Sequence, residues 1–111
     1  MLSRDQILQA NDITHVDVDV PEWGGVVRVR MLTGIEREAF ENYFTAPGKK
    51  VDLRARLCST CLVDENGARL FADADIPALA AKSGAALDRV YEAIKRLNKL
   101  SKEDVEDLEK N

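Results

Sequence analysis

The sequence predicts an α+β domain, with an N-terminal antiparallel β-hairpin packed against a bundle of about four to six helices. Three observations carry this. Between Thr14 and Met31 the apolar residues alternate with charged ones on either side of P-E-W-G-G. Beyond Thr33 the apolar spacing changes to the three-and-four pattern of amphipathic helices. Capping and turn motifs punctuate the chain where one element should give way to the next.

The first element is short. Ser3 and Gln6 have the spacing of a capping box, with Ile7, Leu8 and Ala10 as the apolar side of about two helical turns. A helix of that length is marginal alone, so it must dock on something or fray. Asn11 and Asp12 end it.

In the hairpin, Val16, Val18 and Val20 point one way and His15, Asp17 and Asp19 the other. Val27, Val29 and Met31 answer them, with Arg28 and Arg30 opposite. Pairing Val20 with Val27, Val18 with Val29 and Val16 with Met31 gathers the apolar side chains on one face. That register sets Asp19 across from Arg28 and Asp17 across from Arg30, with Val26 in the turn or a bulge. A one-residue slip would set Asp against Val. The Asp/Arg pairs read as a solvated face worth about a few tenths of a kcal/mol each. Trp23, the single tryptophan, sits in the turn between Pro21 and Gly24. It either folds back on the sheet or anchors a partner, since tryptophan is enriched among interface hot spots.

Thr33 and Glu36 form a second capping box, opening a helix of about three turns. Ile35, Ala39, Phe40, Tyr43 and Phe44 make its apolar stripe, assigned to cover the hairpin. Residues 45–50, T-A-P-G-K-K, form a solvated loop expected to be mobile. Val51 to Leu62 is the next helix, with Leu53, Leu57, Cys58, Cys61 and Leu62 inward. Asp64 to Gly67 is a turn, and Arg69 to Phe71 is a short extended piece placed as a third strand at the hairpin's edge. Pro77 to Lys82 forms a helix capped by Asp75. Ala85 to Lys99 is the clearest amphipathic helix, burying Leu87, Val90, Tyr91, Ile94 and Leu97. Ser101 caps a last, loosely docked helix at about 102–110, with Val105 and Leu108 apolar and acidic residues around them.

At 111 residues the chain is long enough for one domain with its own core. A net charge of −4, with both signs interspersed, offers no basic stripe for a phosphate backbone. The N-terminus has polar residues where a signal peptide needs an apolar run, and nothing approaches the roughly 18–20 apolar residues of a membrane span. A cytoplasmic protein is expected, with neither nucleic acid nor membrane as partner and no cofactor.

Two features invite catalytic readings. His15, the single histidine, lies at a strand edge with no Cys or second His near it in sequence. Cys58 and Cys61 form C-x-x-C, but at the C-terminal end of the predicted helix, where the dipole opposes a thiolate. Two small buried hydrophobes, rather than a redox pair or half a zinc site, are the expectation. No catalytic, cofactor or metal residues are assigned.

Three stretches carry a resemblance: V-D-V-P-E-W-G-G-V-V-R-V-R-M-L-T-G-I-E-R-E-A-F-E (18–41), C-L-V-D-E-N-G-A-R-L-F (61–71) and L-D-R-V-Y-E-A-I-K-R-L-N-K-L-S-K-E-D-V-E-D-L-E-K-N (87–111). In these the chain resembles the tail assembly chaperones of long-tailed phages and related prophages. The resemblance implies a non-enzymatic factor in the host cytoplasm, absent from the mature virion. It would coat the tape-measure protein, keep its apolar helices soluble, recruit tail-tube protein and self-associate. Such a chaperone needs an apolar or aromatic surface with an acidic rim, and Trp23, Tyr43, Phe44, Val105 and Leu108 are the candidate contacts.

Many members of the family are made with a longer form by −1 ribosomal frameshifting. Glu109-Lys110-Asn111 as GAA-AAA-AAC would contain the slippery run A-AAA-AAC, so the chain is expected to be the short product. The alternatives are a minor tail or head-tail completion protein retained in the virion, a redox enzyme using the cysteines, and a small DNA-binding regulator disfavoured by the acidic charge.

Overall fold

A computed structural model describes residues 1–100. Its elements are α1 (Arg4–Gln9), β1 (His15–Val20), β2 (Gly25–Arg30), α2 (Gly34–Thr45), α3 (Leu53–Cys61), β3 (Leu62–Val63), α4 (Ile76–Ala80) and α5 (Gly84–Leu97). The strands form one antiparallel sheet in the order β1-β2-β3. The fold is the α+β arrangement the alternation predicts, with five α-helices among the described residues. The helix expected at about 102–110 lies outside them.

The hairpin register differs from the expected one by two residues. Val18 faces Val27, Val16 faces Val29 and Asp17 faces Arg28, while Val20 meets Gly25. The turn explains the shift. Pro21–Trp23 closes a single 3₁₀ turn and Gly24 takes a left-handed φ of 76°, so pairing resumes at Gly25 with no bulge. A two-residue slip leaves each side chain on the same face, so alternation excludes a one-residue error and cannot see this one. The ion pairs change with it. Arg28 Nε donates to Asp17 at 2.8 Å, while Arg30 turns to Glu36, with its two terminal nitrogens 2.7 and 2.8 Å from the carboxylate.

The third strand exists, but it is Leu62–Val63 that pairs with β2; Arg69 contributes an isolated bridge to Val63. The Asp64–Gly67 turn folds the chain back, with Asp64 Oδ1 accepting from the Asn66 and Ala68 N–H groups. Helix α3 therefore stops at Cys61, one residue before the sequence pattern suggests, because Leu62 and Val63 are buried equally well as strand.

Helix α5, not α2, lies across the hairpin. Its buried face is Ala86, Leu87, Val90, Tyr91, Ala93 and Ile94, with Leu97 half-buried. Helix α2 reaches the core through Phe40 and Phe44, whose rings stack with centroids 6.4 Å apart. Ile35 and Ala39, placed in its apolar stripe, are exposed. At about 100° per residue, Ile35 lies roughly 140° around the helix from Phe40. Both capping boxes form: Ser3 with Gln6, and Thr33 with Glu36. Asp75 does not cap α4; its carboxylate reaches back to accept the Ala72 N–H at 2.8 Å.

Candidate interaction surface

The five residues singled out from the sequence are not gathered into one patch. Trp23 is half-buried and folds back onto the core cluster, and the neighbouring Glu22 pairs with Arg89 of α5 at 2.8 Å. The ring thus packs toward the body of the fold while keeping part of its surface exposed. Phe44 is fully buried. Tyr43 stands edge-on to Phe44 at 4.6 Å, and the Arg56 guanidinium lies 4.0 Å over its ring. Arg56 Nη2 also donates to Tyr43 Oη at 3.2 Å and to Asp52 at 2.9 Å. The ring is therefore largely spoken for by internal partners. Val105 and Leu108 lie outside the described residues.

The loop after α2 is tied down by one ammonium group. Lys50 Nζ donates to the carbonyls of Ala46, Pro47 and Gly48 at 3.0, 3.2 and 3.1 Å, and lies 5.4 Å over the Tyr43 ring. The solvating lysine of the sequence reading acts here as the loop's clasp.

Cys58 and Cys61 are free thiols and fully buried. Burial pushes both pKa values up to about 12, which keeps them protonated and unreactive at ordinary pH. This opposes the thiol-redox alternative on physical grounds. Among the described residues no three His, Cys, Asp or Glu side chains gather where they could hold a metal ion. No described helix is long and apolar enough to cross a membrane.

The N-terminal segment, outside the candidate contacts, concentrates exposed apolar side chains. Leu2 is 73% exposed, Ile7 57% and Leu8 66%, followed by Ile13 at 38%; no residue of α1 is buried. The signal was present in the capping box on a helix too short to stand alone. A cleft of about 460 Å³ runs between β1 and α5. Val16, Val18, Ala93 and Leu97 give it an apolar lining, and Asp17, Asp19 and Arg96 edge it.

No family model matches the chain, and neither does any curated protein or solved structure.

Proposed function

We propose that the chain is a non-enzymatic tail assembly chaperone of a long-tailed phage or prophage. It binds the tape-measure protein and helps recruit tail-tube subunits in the host cytoplasm. The observation that carries this reading is the pattern of residues 18–41, which falls on the hairpin, its Pro/Trp/Gly turn and the start of α2. Two physical features support it. A holding chaperone must offer apolar surface while staying dispersed, and the chain combines exposed apolar side chains at Val26, Ile35, Val51 and Leu70 with a net charge of −4. Its two thiols are sealed in the core, as suits a binding protein better than a redox enzyme.

Co-expression with the tape-measure protein of the same phage or prophage genome tests the proposal. The expected result is a soluble tape measure that co-purifies with this chain. A tape measure that stays insoluble and never co-purifies would overturn the reading. Mass spectrometry of purified particles separates the alternative, since a chaperone is missing from them and a completion protein is present. The gene itself tests the short-product reading, which requires a slippery run and an overlapping −1 frame.

A further inference from the structure

Helix α1 poses a thermodynamic problem that the described residues do not solve. Ser3 Oγ accepts the Gln6 N–H at 3.2 Å and Gln6 Oε1 accepts the Ser3 N–H at 2.8 Å, so the helix start is fully specified. Yet six residues are far below the roughly 12–15 needed for a helix to persist in water. Tertiary packing normally makes up that deficit, and here every residue of α1 is exposed. Among the described residues, Leu2, Ile7 and Leu8 find no apolar surface to cover them.

We infer that a second copy of this chain covers them, and that two copies exchange their N-terminal segments, each α1 seating on the partner's cleft between β1 and α5. Continuity is the first argument. The segment enters the fold at Thr14, whose carbonyl accepts the Met31 N–H, and the cleft begins two residues later at Val16. A two-fold axis near this point carries each segment onto the other copy's cleft without any added linker, the low-cost geometry of an isologous exchange.

Area is the second argument. Met1, Leu2, Ile7, Leu8 and Ile13 are all exposed. At roughly 100 Å² per large apolar side chain, two such segments bring about 1,000 Å². With the cleft surfaces they cover, the total reaches the roughly 1,200–2,000 Å² of a stable interface. Charge is the third. The segment carries Arg4 and Asp5, and the cleft presents Asp19 and Arg96, with Asp17 already held by Arg28, so each sign has an opposite to meet. The acidic side chains along the edge strand discourage another strand from adding there, which leaves the apolar cleft for a helix. None of this depends on the identity of the client.

Sedimentation velocity on the full chain from about 10 to 200 μM tests the inference. The expected species is a dimer. Ile7→Asp/Leu8→Asp should weaken it by at least about 100-fold while the variant still unfolds cooperatively as a monomer, because neither side chain touches the core. Ile35→Asp, on an exposed apolar residue of α2, should leave the dimer intact. Oxidising an equimolar mixture of Leu8→Cys and Val16→Cys chains should give a cross-linked heterodimer on a non-reducing gel, with the buried Cys58 and Cys61 standing aside. A wild-type monomer throughout the range overturns the exchange, as does a dimer unaffected by Ile7→Asp/Leu8→Asp. Absence of the mixed cross-link overturns the cleft as the seat. A chain that dimerises without holding tape measure would sink the chaperone reading and leave this one standing.

Discussion

The side chain of Asn98 is hydrogen-bonded to the backbone of Leu32, 66 residues earlier: its Oδ1 accepts the Leu32 N–H at 2.8 Å in a buried setting. Its Nδ2 donates to the Ile94 carbonyl, also at 2.8 Å, and the Asn98 carbonyl accepts from Arg37 at 3.4 Å. One amide thus locks the end of α5 to the passage from β2 into α2. Neither the period of α5 nor any motif marks Asn98, which follows the helix as an ordinary C-terminal polar residue.

Replacing it by alanine leaves the Leu32 N–H buried and unpaired. Asn98→Ala should therefore cost about 2 kcal/mol, read as a lower urea midpoint with an unchanged m-value. An unchanged midpoint would mean that water takes the place of the amide at no cost.

Glu36 serves two structures at once. It completes the capping box by accepting the Thr33 N–H at 2.9 Å, and it takes the two-pronged hydrogen bond from Arg30. That bond to Arg30 is the chief cause of a pKa lowered from 4.5 to about 2. A depressed carboxylate contributes stability that is complete above about pH 4.5 and is lost as the pH falls toward 2. The pair is partly solvated, so the contribution is about 1–2 kcal/mol after screening. Glu36→Gln keeps a capping side chain but breaks the ion pair. Its deficit against the parent should be full at pH 7 and shrink between pH 4.5 and 2, as urea melts at several pH values will read. A constant difference across that window would assign the effect to something other than this ionisation.

The two thiols should resist labelling. With both held protonated to about pH 12 and no exposed surface, Cys58 and Cys61 should react with iodoacetamide at pH 8 only through unfolding. The labelling rate should then rise with urea in step with the unfolding curve, followed by mass spectrometry. Rapid modification of the native protein would restore a thiol function.

What the sequence made legible follows from which physical signals are periodic. The stripe of α5 and both capping boxes were readable because their spacing has one geometric solution. The hairpin's existence and faces were readable for the same reason, but its register was not. Two registers differing by two residues put the same valines inward, and only the compact 3₁₀ turn at Pro21–Trp23 decides between them. The partner of α2 was not legible, because aromatic content marks a buried face without saying against what. Phe44, a candidate contact, is fully buried while its neighbour Tyr43 keeps some exposure, because a stripe of aromatic residues does not say which ring meets solvent. The exposed segment at Leu2, Ile7 and Leu8 was foreshadowed only by its shortness.

The half-buried position of Trp23 couples any role in binding to its role in the fold. It packs on the core cluster at the hairpin tip, while Glu22 beside it is held by Arg89. Trp23→Ala removes a half-buried indole, so it should lower stability by about 1–3 kcal/mol, a fraction of the cost of a fully buried ring. As the single tryptophan, it reports its own environment, and its emission should shift red on unfolding. Loss of client binding by the alanine variant would then confound folding with contact. Trp23→Phe separates the two. It keeps most of the packing, so it should recover most of the stability. If Trp23 also anchors a client, pull-down by Trp23→Phe should fall several-fold while the melt stays near the parent's. If the indole serves the fold alone, binding and stability will track each other across both variants.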